Sequence, residues 1–456
     1  MPFLGTTGGG SVKQYGGQAN LGYFIKNSLR TRSSASAYLS RTPGSAGNRT
    51  TWTWSSWVKL GTLGTARTLF SSGADTSNVT MIDFRADGRV QIYSSTAGSQ
   101  VASIVWNPNV YRDPSAWYHF VIVADTTNAT STNRYKFYVN GVQVTGISTT
   151  PGEENFGSQN AATNINNTVA HSIGRKQASA NEYFDGYIAE VNLIDGQALT
   201  PSSFGKTDAA TGQWIPKKFA STYGTNGFYL KFADASAATA AAIGKDSSPN
   251  GNNWTPNNIS VTAGVTYDAM IDSPTLSAVA SNYAVLNVLS QHASNATTLS
   301  GGNLNVSGEG CLATISMPSG KWYWEATCTS ADADQAVGIL DIVESNTGAV
   351  SGTTNPNRGV IYQANTNVRK NGTIVANYAT FTNGDVLGLT FDASNNQIAF
   401  YKNNTLQGTI TADAPIVSYV PHAQTLGGAF SYNFGQRPFS YTPPTGFKSL
   451  NTFNLP

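Results

Sequence analysis

The 456-residue sequence predicts an all-β protein, and three observations carry that expectation. Charged residues make up only 11% of the chain, against about 25% in an average soluble domain, so the Lys and Glu that build helix surfaces are scarce. Aromatic residues reach 11% and are joined by abundant Thr and Val, which fit a pleated, half-buried surface. Strand-like runs recur about every 8 to 12 residues from Asn27 onward, with no long apolar period of 3.6 residues.

The composition also excludes functions. With 27 basic and 25 acidic residues the net charge is +2 and there is no basic stripe, so no nucleic-acid partner is expected. No stretch approaches the ~18 apolar residues of a membrane span, so no membrane insertion is expected. The opening residues lack the charged start and apolar run of a signal peptide, and two cysteines cannot form a secreted disulfide framework. Yet Gly, Ser, Thr and Asn give the chain the surface of an extracellular adhesive protein. The expectation that reconciles these features is a protein made in a cytoplasm and released by lysis on a particle.

Residues 1–27 are Gly-rich and read as an attachment arm. The run Thr51–Leu60 places Trp52, Trp54, Ser56 and Val58 on one face. Residues 81–84 and 90–93 flank a turn at Ala86-Asp87-Gly88, and residues 134–139 and 142–144 flank the hairpin signal Asn140-Gly141. Residues 117–124 read as a central strand, 183–194 as a closing one, and Thr200-Pro201-Ser202-Ser203 as a helix start. A connector, 206–275, holds one strand at 227–232 and a turn-rich stretch at 246–258. Further on, residues 310–317 and 321–328 flank a turn at Ser319-Gly320. Pairing Pro318 with Lys321 sets Met317, Ile315 and Ala313 opposite Trp322, Trp324 and Ala326 on one apolar face. That register also sets Cys311 opposite Cys328, as a cross-strand disulfide or as two small buried thiols.

Five ordered pieces make residues 28–205 resemble a laminin-G-like, concanavalin-type jelly roll. They are Tyr38-Leu39-Ser40, the stretch from Trp52 to Lys59, Trp117-Tyr118-His119-Phe120, Tyr138-Val139-Asn140-Gly141, and Phe184 to Val191 followed by Ala198-Leu199-Thr200. Such domains often open with a strand and a "DssGNgn" turn; here those pieces come late, at 228–232 and 246–253. The connector is therefore expected to supply the closing strand of the first sandwich, as in a circular permutant. Residues 276–456 resemble a SPRY domain through the run from Gly320 to Glu325, the run from Gly384 to Leu389, Phe400-Tyr401-Lys402-Asn403-Asn404, and the run from Phe434 to Phe439. The domain order, the opening Met-Pro-Phe-Leu-Gly-Thr-Thr and the close at 441–447 resemble virion proteins of tailed bacteriophages. The resemblance implies two concanavalin-like β-sandwiches in tandem behind a short N-terminal arm that binds other virion proteins.

Catalytic patterns are mostly missing. A retaining glycosidase needs two carboxyls on one strand face, but in Glu190-Val191-Asn192-Leu193-Ile194-Asp195 the middle position is Asn and Asp195 points to the other face. Glu153 and Glu154 are adjacent and diverge on a strand. The four histidines, 119, 171, 292 and 422, lack zinc spacing, and His119 reads as a core residue. No cofactor is expected; calcium, common at the rim of laminin-G-like domains, would have Asp83, Asp125 and Asp185 as ligands. Binding fits better. Neutral glycans are held by flat aromatic faces beside amides and hydroxyls. Turn-borne candidates are Trp106, Asn107 and Tyr111 in the first sandwich and Trp254 among Asn252, Asn253 and Asn257 in the connector. By the SPRY resemblance, Tyr362, Asn365, Asn367, Arg369 and Tyr378 lie on partner-docking loops.

The sequence thus leads to a non-enzymatic virion protein, with a tail fibre or receptor-binding appendage on host surface polysaccharide as first reading. Capsid decoration or a head fibre is the alternative, and a depolymerase is disfavoured. A homo-oligomer is expected, a trimer if it follows other fibres, although no heptads or β-helical repeats build a shaft. If the connector closes the first sandwich, a fragment of residues 1–205 will unfold at lower denaturant than one of residues 1–260. Equal midpoints would refute the permuted closure.

Overall fold

The computed structural model describes residues 23–107, 110–291, 297–343 and 358–456. Among them every regular element is a β-strand apart from three short 3-10 turns, one being Pro201–Ser203 at the expected helix start. The chain divides into two units. The first runs to Val261 and takes in Asp268–Thr275; the second comprises Thr262–Tyr267 and Leu276–Pro456.

In the first unit two antiparallel sheets enclose the core. One sheet orders its strands Val142–Val144, Tyr135–Val139, Trp117–Asp125, Thr51–Leu60, Gly186–Asp195, Ser28–Thr31 and Ala269–Met270. The other runs from Glu154–Asn155 through Ser99–Val105, Val90–Thr96, Asn78–Phe84, Arg67–Asp75, His171–Ile173 and Tyr38–Arg41 to Thr255–Asn257. Rings meet between them: Phe84 on Phe120 at 5.7 Å, Trp106 on Phe137 at 5.0 Å. Thr51–Leu60 is buried on both faces beyond its first residue, because a covering segment packs Phe204, Phe219 and Tyr223 over the outer face of this sheet beside Val121 and Ile194.

Three connector strands pair with this sandwich. Phe228–Leu230 pairs with Gly186–Asp195, Thr255–Asn257 with Tyr38–Arg41, and Ala269–Met270 with Ser28–Thr31. The turn at 246–252 is clamped by its own Asp: Asp246 accepts bonds from the backbone N–H of Tyr229, Ser248 and Asn252 and from the Ser248 hydroxyl, at 2.7–2.8 Å. Two buried ion pairs tie the last piece down. Asp272 takes Lys59 Nζ at 2.8 Å and the Trp117 indole at 3.0 Å; Asp268 takes Arg30 Nε at 3.0 Å and Arg32 Nε at 2.8 Å. Lys59, Arg30 and both carboxylates have no exposed side-chain surface. Burial pulls the Lys59 amine below its usual range, and Asp272 opposes the fall.

The second unit is also a two-sheet sandwich. One sheet runs Leu286–Gln291, Gly310–Ala313, Tyr419–Gln424, Ala336–Asp341, Gly359–Gln363, Asn367–Lys370 and Thr373–Asn377. Its partner runs Thr298–Ser300, Asn305–Ser307, Ala429–Asn433, Lys321–Ser330, Val386–Asp392, Gln397–Lys402 and Thr405–Thr411.

The hairpin expected between 310–317 and 321–328 does not form. Gly310–Ala313 pairs with Tyr419–Gln424, while Lys321–Ser330 lies in the other sheet beside Val386–Asp392 and Ala429–Asn433. A shared apolar face is common to neighbours in one sheet and to strands facing each other across a core, so alternation fixed the face and misassigned the partner. Cys311 and Cys328 are both buried free thiols, not a disulfide. Burial raises the Cys311 thiol to about 12, and Cys328 rises by the same cause while accepting a bond from Gln335.

Replacing Asp272 with Ala strands a buried ammonium and should cost about 3–5 kcal/mol in denaturant unfolding; an unchanged midpoint would show the pair to be dispensable. Native alkylation should leave both thiols unmodified, and alkylation after unfolding without reductant should add two groups by mass.

Candidate functional site

Of the nine residues singled out for binding, four are core. Trp106 is 2% exposed and packs on Phe137; Trp254 is 1% exposed and packs edge-on to Phe228 at 4.8 Å. Tyr362, fully buried, lies in the strand Gly359–Gln363 among Tyr378, Phe381 and Phe400, and its hydroxyl donates to the Ala379 carbonyl. Tyr111 is 7% exposed and wedged among Phe84, Tyr118 and Phe120. None offers a free face for a ligand, which corrects the reading of Trp106, Tyr111 and Trp254 as sugar platforms and of Tyr362 as a docking-loop residue. Their turns carry them inward because a large ring gains more from burial than from water.

The other five, Asn367 among them with its side chain accepting from Asn377, are partly exposed. Asn107 donates its backbone N–H to Gly146. Asn365 reaches Asp334 at 3.4 Å, Arg369 donates to Gln363 at 2.8 Å and to the Gly372 carbonyl at 2.9 Å, and Tyr378 lies over Tyr362. Tyr362 and Tyr378 are therefore brought together, apart from the candidates of the first unit.

The calcium candidates do not converge. Asp83 is buried and its carboxyl is pushed up to about 8 by burial and by Glu182; Asp185 accepts from the N–H and hydroxyl of Ser33; Asp125 accepts from the Thr127 hydroxyl. Among the described residues no group of three His, Cys, Asp or Glu side chains is placed to hold a metal ion. His119 is a satisfied core residue. Its Nδ1 accepts from the Trp214 indole at 3.0 Å, its Nε2 meets Ser55 Oγ at 2.9 Å, and burial lowers it to about 3.

The structure supplies instead a cleft of about 300 Å³ at one end of the first sandwich, which the sequence reading missed. The loop 62–67, the turn at 84–88 and Tyr111-Arg112 wall it. Leu60, Leu63, Phe84 and the edge of Tyr111 give the apolar part, and Arg67, Arg85, Arg112 and Asp87 the polar part. Gly88 makes the turn with φ +87, a conformation few other residues tolerate.

A charge network stiffens this end. Arg85 Nη2 meets Glu153 at 2.9 Å, Arg89 bridges Asp87 at 2.7 Å and Glu153 at 3.2 Å, and the bonds from Arg89 hold Asp87 below its usual range against the opposing effect of burial. Arg67 donates through Nη1 to the Ala66 carbonyl at 3.2 Å and Arg85 through Nη1 to Gln91 at 2.9 Å; the Nε of each is buried without a hydrogen bond, that of Arg85 lying 3.7 Å from Asp87, and Arg112 is exposed. Buried donors of this kind cost free energy unless something accepts from them. The signal available in the sequence was three arginines beside predicted turns in a chain otherwise poor in charge.

Residues 33–204 match the concanavalin A-like lectin/glucanases superfamily, and residues 321–437 match the SPRY domain. No curated protein matches the chain. Among solved structures, the SPRY domain of human HERC1 is 17% identical, with 30% of this chain and 91% of that one covered at a TM-score of 0.26. A heptameric SAP-like pentraxin from Limulus polyphemus is 19% identical, with 39% and 80% covered at 0.28. A candidate carbohydrate-binding protein from Bacteroides ovatus is 15% identical, with 52% and 59% covered at 0.34. The chain is thus a tandem of two β-sandwiches, a laminin-G-like, concanavalin A-like domain and a SPRY domain.

Proposed function

We propose that this protein is a virion component of a tailed bacteriophage, a tail fibre or receptor-binding appendage that recognises a glycan on the host surface. The observation that supports it most directly is the arginine-walled cleft of the first sandwich. It combines an apolar wall with the guanidiniums of Arg67, Arg85 and Arg112, donors of the kind that sugar hydroxyls and acidic substituents accept from. The near-neutral, charge-poor chain suits repeated weak contacts on a polysaccharide, and several copies on one particle would add them through avidity. The Gly-rich arm would join the appendage to other virion proteins; its residues 1–22 lie outside those described, whereas Tyr23 to Asn27 belong to the first unit.

A second reading, capsid decoration or a head fibre, draws on the second unit. Its terminal strands Thr373–Asn377 and Thr405–Thr411 leave Ile374, Val375 and Leu406 exposed at 46%, 46% and 53%, as an edge that pairs with another protein would.

Purified protein should bind host cells and block phage adsorption. Arg67→Ala and Arg112→Ala should each weaken cell binding about tenfold, the loss of one charge-assisted hydrogen bond, with unfolding unchanged. Protein that neither binds cells nor blocks adsorption would sink the receptor-binding reading, and immunogold label on the capsid would favour decoration.

A further inference from the structure

Glu190 was weighed in the sequence as half of a carboxylate pair, and the structure gives it a different setting. Opposite Ser56 the strand Gly186–Asp195 carries a bulge, its register jumping between Ala189 and Asn192. At the same point its outer neighbour changes from Ser28–Thr31 to Phe228–Leu230. Glu190 sits in this fork with φ +51, a strained backbone for a residue other than Gly, and is 9% exposed.

Four oxygens close a ring there, the two of the Glu190 carboxyl and the two tyrosine hydroxyls. The Glu190 carboxyl meets Tyr229 Oη at 2.7 and 2.8 Å and Tyr23 Oη at 2.5 Å, and the two tyrosine oxygens lie 2.5 Å apart. The Tyr229 hydroxyl can serve both carboxyl oxygens, and the Tyr23 hydroxyl either Glu190 or Tyr229, so with Glu190 ionised one contact at Tyr23 holds no proton, and a protonated Glu190 supplies it. Burial acts the same way, raising the carboxyl to about 7, while the two tyrosine hydroxyls oppose it. The charged and titratable groups around it are Tyr23, Lys26, Lys218, Tyr223, Tyr229, Lys231 and Asp246.

This ring forms one wall of a cavity of about 370 Å³ whose other residues include Phe24, Asn27 and Ser247. Lys26, Lys218 and Lys231 stand around it, exposed and without an ion-pair partner among the described residues, and Glu190 is the only carboxylate in its lining. We propose that this cavity is a subsite for an acidic sugar, whose carboxylate meets the lysines while its hydroxyls bond to the Glu190–tyrosine ring, with uptake of a proton by Glu190 on binding. The proton follows from charge: an anion beside the lysines offsets the field that favours ionised Glu190. The subsite rests on the glycan-binding reading and names the class of sugar.

The test is calorimetric titration of the whole protein with a uronic-acid disaccharide, at pH 6 and pH 8, in buffers of differing ionisation enthalpy. If only the protonated carboxyl supports binding, a group titrating near 7 gives about tenfold tighter binding at pH 6 than at pH 8, with proton uptake. Glu190→Gln should lose the pH dependence, its affinities at pH 6 and pH 8 becoming equal. The exposed double variant Lys218→Ala/Lys231→Ala should lose about tenfold or more, and a neutral hexose disaccharide should bind more weakly than the acidic one. Equal affinity at both pH values, equal binding of the neutral disaccharide, an unaffected lysine variant, or no binding at all would overturn the proposal. Host-cell binding that survives the lysine variant but fails with Arg112→Ala would overturn this subsite and leave the arginine cleft standing.

Discussion

Two carboxylates that arrive late in the chain hold the first sandwich together. Asp268 and Asp272 neutralise Arg30 and Lys59, cations buried in the earliest strands. An ammonium without water or partner is among the most costly groups a fold can contain, so Lys59 makes sense only with Asp272 beside it. The Trp117 indole shares the same carboxylate, and the Ser28 hydroxyl bonds to the Asp272 carbonyl. The segment is therefore specified by charge and hydrogen bonding more than by strand length, since its pairing with Ser28–Thr31 covers two residues. With that end closed, the bulge at Glu190 and the clamp at Asp246 have a fixed frame to act on.

The second unit solves a similar problem with a buried carboxylate held by neutral donors. Glu325, from the motif that suggested a SPRY domain, is 1% exposed and accepts from the Tyr323 hydroxyl and from the backbone N–H of Ser440 and Tyr441. Three donors on one carboxylate pin the segment after Phe439 to the central strand. Arg437 acts comparably, donating to the Ser431 hydroxyl and the Tyr432 carbonyl. Glu325 thus takes neutral donors where the carboxylates of the first unit take cations.

The architecture was legible where strands alternate or carry dense motifs. Thr51–Leu60, Trp117–Asp125 and Gly186–Asp195 stand where their residues placed them, and Asn140-Gly141 makes its turn with φ of +48 and +83. Pairing was less legible, as the strands around Cys311 and Cys328 show, because period-two alternation encodes a face and not a neighbour. The site was least legible. Trp254 and Trp106 sit beside turn residues, where no period distinguishes a ring anchored beneath a loop from one displayed above it. Glu190 was visible, but its significance depends on Tyr23 and Tyr229, separated from it by 167 and 39 positions. Proximity of that kind exists only after folding.

The late closure of the first sandwich also has a consequence in time. Lys59 leaves the ribosome about 200 residues before Asp272, which at 5–20 residues per second is roughly 10–40 s. Throughout that interval the nascent sheet cannot bury its lysine at low cost, so it stays open or keeps the ammonium in water. The delay exceeds the folding time of most small β-domains, which makes synthesis rather than chain diffusion the step that sets when this domain becomes native. Its exposed strand edges are then the surface most in need of protection while synthesis continues.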